Sequence, residues 1–143
     1  MQWKQPEGFR RHWVLDDLDA ELLFLQTPAG AAQGRLGDDV FDLRESGVLR
    51  KRRTLLLDGQ PVAELEEKAA GAGGELHAHG QTFTWKPANL LATRWTLTAP
   101  GGQPLFTFTA KPGLAKTATI ETAAELPAEL APLLLLCWYV TVL

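Results

Sequence analysis

The stretch LAPLLLLCWYVTVL, Leu130 to Leu143, is the most apolar part of a 143-residue chain that is 45% hydrophobic and 22% charged, with a net charge of −3. Ahead of it, ELPAEL puts Pro127 where a first helical residue needs no N–H, and Glu129 in the first turn beside the positive end of the peptide dipole. The spacing predicts a helix over 127–143 that is apolar on every face. Such a helix lies either in a membrane or inside protein. Length decides between them. The whole segment rises about 26 Å and its strictly apolar part from Leu133 about 16 Å, whereas a span takes about 20 consecutive apolar residues. The helix is therefore read as enclosed. Pro132 should kink it or delay its regular part.

An enclosed helix needs a wall on all sides, and the preceding residues read as one. LLLDGQPV contains Asp58-Gly59, a hairpin signal, because both central residues of that turn take positive φ. TAPGGQPL is a longer version. The flanking segments alternate: Trp95 and Leu97 oppose Thr96 and Thr98, and Phe106 and Phe108 oppose Thr107 and Thr109. That period belongs to antiparallel strands with one buried face. Ala118 and Ile120, and Leu76 and Ala78, are assigned inward on the same grounds. Further turns are placed at 16–19, 28–32, 45–47, 70–74, 87–89, 100–102 and 112–115.

The wall also repeats. DVFDLRESGVLRKRRTLLLDGQPVAELEEK from Asp39 aligns with QTFTWKPANLLATRWTLTAPGGQPLFTFTAK from Gln81 at an offset of 42 residues. Phe41 falls on Phe83, Leu43 on Trp85, Val48-Leu49 on Leu90-Leu91, Arg52 on Arg94, and Thr54-Leu55 on Thr96-Leu97. After one extra residue in the turn, Gln60-Pro61 meets Gln103-Pro104. A fainter third copy starts near His12, with Trp13 in the place of Trp95. The expected fold is a single mainly β domain over 1–143. It is a closed antiparallel barrel of about eleven to twelve short strands over about 8–122, built from two quasi-repeats, enclosing a hydrophobic helix over about 127–143. Phe41, Leu43, Phe83 and Trp85 should point inward, with Asp42 and Thr84 outward. Leu134, Leu135, Trp138 and Val142 should be nearly inaccessible, packed against Trp95, Leu97, Phe106, Phe108 and Ile120. Trp138 and Tyr139 should each find a hydrogen-bond acceptor.

RWTLTAPGGQPLFTF and LPAELAPLLLLCWYVTVL, in position as well as type, resemble the tubby C-terminal, phospholipid-scramblase and LURP-one-related superfamily, and the small bacterial members most. The likeness covers nearly the whole chain as a pattern. It implies a twelve-stranded barrel around a C-terminal helix and a binding module rather than an enzyme. In tubby domains, basic residues on the barrel exterior bind phosphoinositide headgroups, and scramblase-like members act at membranes. The tubby basic motif has no counterpart here, so no headgroup site carries over residue by residue.

The chemistry is read from the residues themselves. The densest charge run is RKRR, Arg50, Lys51, Arg52 and Arg53. Strand alternation splits it, with Arg50 and Arg52 on one side and Lys51 and Arg53 on the other. With Arg10 and Arg11 these residues make a candidate anion-binding patch, since guanidinium groups suit phosphate; a solvated strand edge is the plainer reading. Glu75, His77 and His79 fall on one strand face, a metal-like spacing that lacks further ligands. Acidic clusters at Asp16-Asp17-Asp19 and Asp38-Asp39-Asp42 fall at turns, where aspartate is favoured locally. The one cysteine, Cys137, is expected to be buried and inert. No nucleophile, base and oxyanion donor assemble in the sequence, and no nucleotide-binding or zinc-protease motif occurs. The expectation is a non-catalytic module with no cofactor or metal, binding anionic lipid headgroups or phosphorylated ligands. It is placed in the cytoplasm, peripheral at a membrane. Nucleic acid is not expected, because the chain lacks a basic excess. The alternative is a protein-interaction or scaffold domain with no small-molecule ligand.

Overall fold

The computed structural model describes residues 1–7, 10–48, 50–68, 72–89, 93–111, 116–123 and 125–143. Its strands run β1 Gln2–Trp3, β2 His12–Leu15, β3 Ala20–Phe24, β4 Ala32–Leu36, β5 Asp39–Ser46, β6 Arg52–Leu57, β7 Gln60–Glu67, β8 Gly74–Ala78, β9 Gln81–Pro87, β10 Arg94–Thr98, β11 Pro104–Lys111 and β12 Thr117–Thr122. Every strand from β2 to β12 pairs antiparallel with the next in the chain. β1 sits ahead of the expected strand region. It pairs with β12 and reaches β2 through Lys4 and Val14, whose N–H groups donate to each other's carbonyls at 2.9 and 2.8 Å. The barrel is thereby nearly closed, which leaves little edge to template other chains.

The period of two sets the inside face. Phe41, Leu43, Phe83 and Trp85 are buried, and Thr84 is exposed. Leu76, Ala78, Leu97, Phe106, Phe108, Ala118 and Ile120 also point in, as expected. The two copies coincide as β5–β6–β7 and β9–β10–β11. Both carry a register shift at the same place, between Leu55 and Leu56 and between Leu97 and Thr98. The residues bulged out are therefore equivalent, Val62 and Leu105. A bulge bends its strand, so both copies curve at the same point. The aligned pair Val48-Leu49 and Leu90-Leu91 lies largely outside the described residues.

The connections differ at the two ends of the barrel. One end has short turns at 16–19, 37–38, 58–59, 79–80 and 99–103. At 58–59, Asp58 and Gly59 take φ of 52° and 78°, as the hairpin signal requires. The other end, called the loop end below, carries 5–11, 25–31, 47–51, 68–73, 88–93 and 112–116.

The helix enters from the short-turn end. A 3-10 turn, Ala128–Leu130, precedes α1, Pro132–Val142. The α-helix thus starts five residues later than the sequence suggested. Pro132 takes the first-turn position that needs no N–H, so of the two outcomes expected of it, a kink or a delayed regular part, the delay is the one that occurs. Leu133 to Tyr139 and Val142 are all buried, so the helix is the core and the strands are its wrapping. Gly34 on β4 admits it closely: a Cβ there would stand 3.1 Å from Leu135 Cδ1.

Trp138 departs from expectation. Among the described residues its indole N–H has no acceptor, and neither has that of Trp3. The two rings stack with centroids 5.8 Å apart and planes 7° apart, while Phe108 and Trp13 meet Trp138 edge-on at 5.9 and 6.1 Å. Tyr139 behaves as expected, its hydroxyl donating to the Gly30 carbonyl. Trp95 is only half-buried; it stacks on Trp85 at 5.6 Å and lines a cavity of about 380 Å³ with Trp138, Thr141 and Val142 of the helix.

Candidate functional site

The RKRR run opens β6 at the loop end, where β5 and β7 flank it with carboxylates. Arg52 points outward, and its Nε lies 3.9 Å from Glu64. Arg53 points inward and is 7% exposed. Its Nε donates to Glu45 at 3.2 Å and its Nη1 to Glu67 at 2.8 Å. Lys51 reaches Glu45 at 3.6 Å, and Arg50 reaches Glu66 at 3.4 Å. Each of the four cations therefore has a carboxylate partner. A cavity of about 430 Å³ beside Arg50 is lined by Glu66, Glu67, Lys68 and Glu75, charges of both signs. An anion arriving there would have to displace a carboxylate.

Arg10 and Arg11 do not join this group. They precede β2, and β3, β4 and β5 separate β2 from β6. Arg11 is occupied by the fold: its guanidinium lies 4.1 Å from the Phe24 ring centroid and donates to the Val142 carbonyl at 2.8 Å. A cation on the last turn of α1 satisfies an orphan carbonyl and opposes the negative end of the helix dipole. Arg10 is exposed, with Glu7 at 3.9 Å.

The second copy carries charge differently. The register puts Arg94 where the first copy has Arg52, and Lys86 where it has Arg44. Opposite Arg94 the chain has Thr109 and, one step on, Thr107, in place of Glu66 and Glu64. Those threonines neutralise nothing; Thr107 instead shares a hydroxyl contact of 2.9 Å with Thr96. Lys86, Arg94 and Lys111 lie on the consecutive strands β9, β10 and β11, and Lys4 follows β1, which β12 separates from β11. All four are exposed and, among the described residues, make no ion pair. The sequence run drew attention to the neutralised copy. The repeat alignment, followed into the positions opposite Arg52 and Arg94, was the signal for the other.

The segregation extends to the whole barrel. Of the fourteen lysines and arginines, Arg35 lies toward the short-turn end, held by Asp19 at 3.1 Å and Glu21 at 3.0 Å, and Lys4 shares a cavity with Asp17 of that end; most of the others lie toward the loop end. Asp17, Asp19, Asp38, Asp39 and Asp58 all belong to that end. The result is a molecule of net charge −3 with one basic end and one acidic end. Glu21 is pulled below the usual carboxylate range by its hydrogen bond with His12 and then by that with Arg35.

The histidines are not arranged as the sequence suggested. His77 is on β8, but His79 is in the following turn with φ of 53°. Its Nε2 lies 2.9 Å from the Glu129 carbonyl, while His77 Nδ1 faces the Thr82 hydroxyl at 3.1 Å. The hairpin turns one residue earlier than strand alternation implied, so the two rings do not share a face. Among the described residues, no three His, Cys, Asp or Glu side chains converge as metal ligands. Cys137 is wholly buried, and burial pushes its thiol well above the usual range. No helix among the described residues is long and apolar enough to cross a membrane. Comparison with family models, curated proteins and solved structures finds no match to this chain.

Proposed function

We propose that this chain is a non-catalytic binding module for anionic ligands, lipid headgroups or other phosphorylated molecules, engaged at the loop end and the adjoining wall of the second copy. One observation carries the reading: most of the cations are gathered toward one end of an acidic protein, and among the described residues those on β9, β10 and β11 make no ion pair. Long-range attraction depends on the local field rather than on net charge, so a polarised barrel approaches an anion with its basic end first. The resemblance to tubby-like barrels points the same way. On this reading the protein works in the cytoplasm, peripheral to a membrane. The partners shift from the Arg50–Arg53 run, which is neutralised, toward Lys86, Arg94 and Lys111.

Co-sedimentation with phosphatidylcholine vesicles, with and without phosphatidylserine, tests this. The protein should pellet with the anionic vesicles alone and be released by salt. A Lys86→Glu/Arg94→Glu/Lys111→Glu triple variant should remain in the supernatant, and Arg50→Glu/Arg52→Glu should lose less. Equal recovery in the supernatant with both vesicle types, with no binding of inositol hexakisphosphate by calorimetry, overturns the reading. A stoichiometric protein partner in that case favours the scaffold alternative.

A further inference from the structure

Building on that reading, we infer that the protein docks end-on to an anionic bilayer, with the loop end down and Val48 and Leu25 entering the boundary between headgroups and acyl chains. Four large hydrophobic residues are exposed among the described residues: Leu25 at 40%, Val40 at 48%, Val48 at 95% and Leu143 at 36%. Only Val40 sits on the wall. Single exposed hydrophobics need no explanation; their position here does. Val48 belongs to the connection after β5, and the next described residues are Arg50 and Lys51, with side chains 76% and 51% exposed. Leu25 rims a cavity of about 560 Å³ shared with Arg10, Arg11 and Phe24.

Apolar side chains at the basic end suit a headgroup interface. The tip leaves water while the unpaired Lys86, Arg94 and Lys111 on the adjoining wall meet phosphates; Arg50 and Lys51 beside Val48 keep their carboxylates, Glu66 and Glu45. The shape favours a bilayer over a folded partner. Val48 and Leu25 project from separate connections and line no common groove, so a rigid surface would need two matched pockets, whereas lipid deforms around each. Two further features fit this orientation. The acidic turns face away from the membrane, at the opposite end. The negative end of α1, which points toward the bilayer, is covered by Arg11 on the Val142 carbonyl.

The test attaches an NBD fluorophore to Val48→Cys, Leu25→Cys or Asp58→Cys. Cys137 is fully buried and stays unlabelled in the folded protein. With phosphatidylcholine–phosphatidylserine vesicles, labels at 48 and 25 should brighten and shift to the blue, and the label at 58 should not change. Val48→Asp should weaken vesicle binding roughly tenfold, as expected for keeping one aliphatic side chain out of an apolar phase and adding a like charge. Pelleting in which the label at 48 stays in water, and Val48→Asp binds as tightly as the parent, overturns end-on docking while leaving anionic binding intact. Failure to pellet at all overturns both.

Discussion

Gly34→Ala places a methyl group in the narrowest gap between wall and helix. Gly34 faces inward on β4, between Leu22 on β3 and Phe41 on β5. The added Cβ would lie 3.1 and 3.3 Å from the two δ carbons of Leu135 and 3.2 Å from Leu43 Cδ1. Comfortable carbon contacts are about 3.5–4.0 Å, so three methyl groups must give way at once in a packed interior. Overpacking of this kind costs about 1–3 kcal/mol; loss of a glycine from the unfolded chain returns about 0.4–1 kcal/mol. Leu135→Ala alone removes a wholly buried side chain and should cost about 2–5 kcal/mol. The double variant removes two of the three clashing atoms. It should be more stable than the sum of the single changes by about 1–2 kcal/mol, well beyond the roughly 0.5 kcal/mol within which independent sites add. Urea denaturation of the four proteins, followed by tryptophan fluorescence, gives the coupling. Simple additivity would mean that β4 does not press on the helix at this point, and the packing register of α1 would have to be redrawn.

Arg53→Ala takes the shared cation from the partly exposed Glu45 and Glu67 and empties the space of a buried side chain, and should cost about 1–3 kcal/mol in chemical denaturation, with Arg53→Met costing less because it still fills the space. Tyr139 is the only tyrosine, so absorbance at 295 nm reports it alone. Burial first, and then the Glu45 charge, push its pKa up to about 12, with Arg53 and Arg11 opposing. The folded protein therefore holds a proton that the unfolded chain releases near 10, and stability should fall as pH rises from about 10 to about 12. Ionisation at pH 10 without unfolding would contradict the burial. Cys137 should react with a thiol reagent only at the rate of global unfolding, measured in the same denaturant series. Deleting the chain from Leu133 should leave no cooperative melt, since the lost core exceeds the roughly 5–15 kcal/mol by which domains are usually stable.

The inner face was legible because a period of two leaves no freedom within an unbroken run: Phe41 and Leu43, Phe83 and Trp85, and Phe106 and Phe108 each fix their own strand, whereas counting on from Asp58-Gly59 would turn Ala63 and Leu65 outward had the bulge at Val62 not restored them. The hairpin at His79 was not legible. A histidine with positive φ gives no compositional warning, and the alternation of Leu76, His77 and Ala78 runs straight into it. The basic run was visible, but its neutralisation was not, because Arg53 meets Glu45 and Glu67 only after two hairpins bring β5, β6 and β7 side by side. The sequence does flag Arg53 as odd, since its repeat mate is Trp95. The structure gives the physical reason. Glu45 and Glu67 align with Pro87 and Ala110, so the inner rim is a polar trio in one copy and an aromatic stack in the other. The stacking of Trp3 on Trp138 could not be foreseen, because the two lie at opposite ends of the chain.

The helix that fills the barrel follows all twelve strands along the chain. During synthesis, every piece of wall is therefore made before anything that can line it. Until Leu133–Val142 appears, the meander presents Phe41, Leu43, Phe83, Trp85 and Phe106 to water as a long curling ribbon, with β1 waiting for β12. Sequential hairpins can form as the chain emerges, but the burial that makes them cooperative comes last. A nascent chain of this protein should accordingly be protease-sensitive and bound by hydrophobic-segment chaperones through most of its translation, and should become resistant within a narrow window once α1 is available.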